Sequence, residues 1–133
     1  MKAVLLVGRV LYSAIFIIAG FQHFLFAQTV TAEAAKHGVP FAQVAIPVSG
    51  VIAVFGGVSI LLGYYARVGA WLLVIFLVPV TVMMHNFWSV PDPTLAQTVQ
   101  VMFMKNVSML GAALIIAYFG SGPLSLDSRK PKM

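Results

Sequence analysis

The stretch that decides the fold is VAIPVSGVIAVFGGVSILLGYYARVGAWLLVIFLVPVTVMMHNFW (44–88), in which Arg67 is the single residue drawn from Asp, Glu, Lys and Arg. Runs 44–66 and 68–88 are free of formal charge, and each approaches the roughly 20 apolar residues that a helix needs to cross hydrocarbon. With so little chain between them, the two runs read as a tight antiparallel helical hairpin.

Two further segments of similar character flank this hairpin, so the expected spans are about 3–26, 44–65, 68–87 and 99–119. The whole chain of 133 residues is 61% hydrophobic and 8% charged. A water-facing surface normally draws on about a quarter charged residues, which excludes an ordinary soluble domain. The reading is an all-α integral membrane four-helix bundle, one domain over 1–133, with 120–133 as a tail. Segments 27–43 and 89–98 read as polar links, the second carrying the turn-forming VPDP (90–93). The AEA at 32–34 imitates a signal-peptide cleavage site. The first apolar run is longer than a usual signal core and contains Arg9, Gln22 and His23, so it reads as a retained span.

Basic residues set the expected orientation. Lys2, Arg67, Arg129, Lys130 and Lys132 fall on one side, and only Lys36 on the other. Cytoplasmic loops retain positive charge, so both termini are expected in the cytoplasm. The net charge of +5 follows from this topology and carries no nucleic-acid signature, because the basic residues do not cluster with exposed aromatics. There is no cysteine, which removes disulfides, thiolate nucleophiles and CxxC redox pairs.

Helices in lipid associate through small residues that let backbones approach. Ser49, Ala53 and Gly57 recur every four residues in the second span, with Gly50, Gly56 and Gly63 beside them. That seam reads first as packing within one bundle and second as a homo-oligomer contact. On the first span, Arg9, Ser13, Phe16, Gly20 and His23 share one helical face. Arg9 could pair with Asp127, the one acid on its side, or reach the inner phosphates. Pro79 leaves the carbonyl of Ile75 without a helical donor, so a kink is expected there.

Depth then groups the polar residues. His23 ends the first span, His85 and Asn86 end the third, and Lys105 and Asn106 lie early in the fourth. They are expected at one outer level as a polar pocket walled by Trp88 and neighbouring aromatics. Ionisable groups inside a membrane are costly and commonly functional. Such a pocket suits a quinone, whose carbonyls need donors and a proton carrier while its ring needs apolar walls. Haem or metal ligation by His23 and His85 ranks last, since two imidazoles without carboxylates or thiols make a poor set; no metal is assigned. Solute transport by four helices would first require oligomerisation.

The stretches GRVLYSAIFIIAGFQHF (8–24), ILLGYYARVGAWLL (60–73), MMHNFW (83–88) and NVSMLGAALIIAYFGSGPLSLD (106–127) together resemble the DoxX family of small four-helix membrane proteins. The resemblance covers nearly the whole chain and is most specific at Gly8-Arg9 and at Gly122-Pro123-Leu124-Ser125-Leu126-Asp127. Where helix 1 of this family often carries a lysine, this chain reads Gln22-His23-Phe24. The resemblance implies a bacterial inner-membrane location and an association with quinone-linked redox, as in the similar DoxD subunit of thiosulfate:quinone oxidoreductase. It implies no established catalytic residue. The expected function is a quinone-interacting subunit with a soluble or membrane redox partner that brings the electrons. The alternative is a non-enzymatic membrane scaffold or envelope-stress module.

Overall fold

The computed structural model describes residues 1–130, so Lys132 of the charge count lies outside the described residues. Five α-helices run in the order α1 (Lys2–Leu25), α2 (Ala27–Lys36), α3 (Ala42–Leu62), α4 (Ala66–Met84) and α5 (Pro93–Phe119), with no strand among the described residues. Four of them, α1, α3, α4 and α5, are long and apolar enough to cross a membrane. Their outward faces carry Leu11, Ile18, Phe55, Trp71, Ile75 and Ile115 in the open. Such a surface is tolerable only against lipid, where apolar exposure is not penalised.

The chain packs as a series, with α1 against α3, α3 against α4, and α4 against α5. The glycine seam makes this possible. A Cβ at Gly20 would stand 2.8 Å from the carbonyl oxygen of Gly50, and one at Gly56 would stand 3.0 Å from that of Gly69. At both crossings the backbones touch, and dispersion between them replaces the hydrophobic drive that lipid cannot supply. The inward face of α1 is Arg9, Ser13, Phe16 and Gly20. Phe16, Ala53, Ile60, Leu73 and Leu77 form the buried core.

Two stretches expected as links are helical. Segment 27–36 forms α2, whose Val30 and Ala34, one turn apart, pack with Ala42, Ile46 and Met84. Helix α5 begins at Pro93 rather than near 99, because Asp92 caps it, accepting from Thr94 N–H at 3.4 Å and Leu95 N–H at 3.3 Å. VPDP is therefore a helix start, with an aspartate N-cap and proline in the first turn.

The link between α3 and α4 is residues 63–65, and it is held from outside. Gly63 (φ 63°) and Tyr65 (φ 49°) both adopt the left-handed conformation. The tail segment then crosses them: Leu126 N–H donates to Leu62 O at 3.2 Å and Asp127 N–H to Gly63 O at 2.7 Å. The Asp127 carboxylate accepts from Tyr65 N–H at 2.9 Å and Ala66 N–H at 3.0 Å. Leu126 and Asp127 thus satisfy orphan carbonyls at the end of α3, and the Asp127 carboxylate satisfies orphan donors at the start of α4. Ser125 adds a local network, accepting from Ser121 Oγ and donating to Gly122 O.

Candidate functional site

The helices α3 and α4 touch at Gly56 and Gly69 and stand apart towards their other ends. The resulting wedge is a cavity of about 290 Å³. Its walls are Ile46, Val48 and Ile52 from α3, and Ile75, Phe76, Pro79, Val80, Met83 and Met84 from α4. Val30 and Ala34 of α2, with Val39, form its roof. His23 and Ser49 are the polar side chains in this lining.

His23 is brought here by the close crossing of α1 and α3, where its Cβ would lie 3.0 Å from a Cβ at Gly50. Its ring packs near Phe76, with centroids 6.0 Å apart. The Nδ1 atom lies 2.9 Å from Ser49 Oγ and 3.3 Å from Ile46 O. Ser49 Oγ already donates to Ile46 O at 2.7 Å, so towards His23 it accepts. A carbonyl oxygen only accepts. Both neighbours of Nδ1 therefore require a hydrogen on it, which assigns the neutral ring to the Nδ1–H tautomer and leaves Nε2 with its lone pair.

The sequence placed His23, His85, Asn86, Trp88, Lys105 and Asn106 at one level, and the geometry distributes them over distinct places. His85 follows the last residue of α4, nine residues beyond Phe76 and so about 13 Å further along the axis. It is absent from the cavity lining, whereas Met83 and Met84 contribute to it. Lys105 is exposed and its Nζ lies 3.8 Å from Met102 Sδ, on the outer side of α5. Asn106, one residue on, is rotated inward and is 5% exposed. Asn86 immediately precedes the short turn Phe87–Ser89, and Trp88 stacks edge-on with Phe87 and Phe103 at 5.3 and 5.8 Å. His85, Asn86, Trp88 and Lys105 form an aromatic and polar rim at the histidine-bearing end, while His23 sits deeper, inside the bundle.

At the opposite end, Arg9 is 5% exposed and donates from Nη2 to Leu124 O. Its Nε and Nη1 are buried without a partner. It forms no ion pair with Asp127 among the described residues, where the acid pairs instead with Lys130 at 3.3 Å. Burial opposes ionisation of Asp127 more than any other single effect. The N–H donations from Ala66 and Tyr65, with Lys130, together outweigh it and hold the carboxyl below its ordinary value.

Sequence reading overlooked Ser49 as a polar partner of His23. Ser49 was legible only as a small residue of the packing seam. No group of three or more His, Cys, Asp or Glu able to hold a metal occurs among the described residues.

The DoxX family profile matches residues 4–86 of this chain. The chain belongs to the DoxX family. It is similar to the inner membrane protein YphA of Escherichia coli (strain K12), with 31% identity over 125 residues, covering 94% of this chain and 89% of the relative. No solved structure matches it. The family match spans α1 to the end of α4, and therefore every helix that lines the cavity.

Proposed function

We propose that this DoxX-family protein is a multi-pass protein of the bacterial inner membrane, with both termini cytoplasmic, and that it holds the ring of a membrane quinone in the wedge between α3 and α4. Five of the six loop and tail basic residues support that orientation. The relative's designation as an inner membrane protein supports the location.

The observation that carries the binding reading is the cavity's composition. Apolar walls enclose a single imidazole with a free Nε2, and the imidazole is held in place by Ser49 and Ile46 O. The volume, about 290 Å³, is at the small end of ligand pockets, which suits a ring rather than a whole lipid. Imidazole is the side chain best matched to proton exchange near neutral pH. Electrons would be exchanged with a soluble or membrane redox partner. The rim of His85, Asn86, Trp88 and Lys105 is the surface on which such a partner would meet the bundle.

Purified protein in lipid nanodiscs should bind a long-chain ubiquinone or ubiquinol, and His23→Ala should abolish that binding. Protein that binds neither would refute the reading. The second reading, a scaffold without chemistry, rests on the latched hairpin and the exposed rim. It requires a stoichiometric partner whose capture survives His23→Ala.

A further inference from the structure

We infer that the cavity is set for the reduced, hydroxyl-bearing form of its ligand, which enters sideways from the bilayer between α3 and α4. This deepens the quinone reading and rests on it.

The polarity of the cavity follows from its two polar side chains, His23 and Ser49. With Nδ1–H committed to Ser49 and Ile46 O, neutral His23 presents an acceptor at Nε2. Pro79 has no N–H to offer the carbonyl of Ile75, four residues earlier, and both residues line the cavity. Proline thus withholds one helical donor from α4 beside the cavity. Ser49, the other polar side chain, has already given its hydrogen to Ile46 O. The polar side chains of the lining therefore accept hydrogen bonds and offer none. A hydroquinone carries two O–H donors that match them. A quinone carries two acceptors that meet acceptors.

The route follows from which lining residues are open. Val48 and Ile75 are 51% and 57% exposed, on the flanks of α3 and α4 that face lipid. Ala34 of the α2 roof is fully buried, and Ile46, at the base of that roof, is 8% exposed. A ligand dissolved in the membrane can pass its ring between Val48 and Ile75 and leave its chain in the hydrocarbon. One arriving from the aqueous side would have to displace α2.

The test is anaerobic equilibrium binding to nanodisc-embedded full-length protein, with long-chain ubiquinol, long-chain ubiquinone and the dimethyl ether of the ubiquinol as probes. Ubiquinol should bind at least about fivefold more tightly than either other probe, one hydrogen bond's worth. His23→Phe, which keeps a ring in place without an acceptor, should remove that preference. Val48→Trp should reduce ubiquinol binding several-fold, whereas Glu33→Trp, on the exposed face of α2, should not. Equal affinity for ubiquinol and its dimethyl ether would overturn the acceptor argument. Blocking by Glu33→Trp but not by Val48→Trp would overturn the lateral route. In both of those cases the quinone reading itself stands, whereas binding of no probe at all would overturn the quinone reading and this inference together.

Discussion

Asp127 holds Ala66 by a 3.0 Å hydrogen bond from the first N–H of α4, across sixty-one positions of chain. The same carboxylate takes Tyr65 N–H, whose residue has a left-handed backbone that an unbranched aromatic rarely adopts. The tail thereby ties the end of α3 to the start of α4. Asp127→Asn keeps the shape but replaces one of the two accepting oxygens by an NH2, so one bond is lost and the other is weakened; bonds to a charged acceptor are worth roughly 1.5–3 kcal/mol each against about 1 for neutral ones. Thermal unfolding in detergent at neutral pH should show a loss of about 2–4 kcal/mol.

The same carboxyl predicts an acid limb. Its value is depressed in the folded protein, so its contribution is complete above the ordinary carboxylate value and disappears as pH falls through the lower folded value. Stability measured at pH 7 and again near pH 3 should decline more in the native chain than in Asp127→Asn. Equal declines would show that another group controls the acid limb.

Gly63 leaves no room for a side chain. Its φ is 63°, and a Cβ there would collide with Arg9 Nη1 and Ser125 Cβ. Gly63→Ala should cost about 2 kcal/mol or more, from left-handed strain together with overpacking. Gly111 has nothing within 4 Å of its Cβ position, so Gly111→Ala should be neutral or stabilise by up to about 1 kcal/mol. Thermal melts of the two variants, read side by side, separate site from residue type.

The absence of cysteine makes orientation directly measurable. A single cysteine at Lys36 should react with a membrane-impermeant maleimide added outside spheroplasts, and one at Ser128 should react only after lysis. The reverse pattern would invert the topology.

Much of the fold was legible because hydropathy reports spans without reference to packing. The charge-free runs around Arg67 located α3 and α4, and the recurrence of Ser49, Ala53 and Gly57 marked a packing seam on α3, which the structure places against α1. Helix α2 was missed because it is short and only weakly apolar. It is helical because Val30 and Ala34 pack with Ala42, Ile46 and Met84, a tertiary cause that composition does not carry. The start of α5 was signalled by Asp92-Pro93 and was overridden by the polar run 94–98.

The candidate site was less legible, for a related reason. Depth can be read from position along a span, but rotation and tilt cannot. His23 and His85 both lie near span ends in the sequence. The tight α1–α3 crossing carries His23 against Phe76, while α4 ends before His85. Lys105 and Asn106 are neighbours in sequence, yet about 100° of helical rotation sends one outward and the other inward. The Gly-Pro-x-Ser-Leu-Asp ending is explained by structure instead: it is the latch that secures the hairpin.

The most direct test compares two histidines. Ubiquinol binding to the nanodisc-embedded protein should be lost in His23→Ala and retained in His85→Ala, because only the first lines the cavity. Binding that survives His23→Ala and vanishes in His85→Ala would contradict the account and move the ligand to the rim.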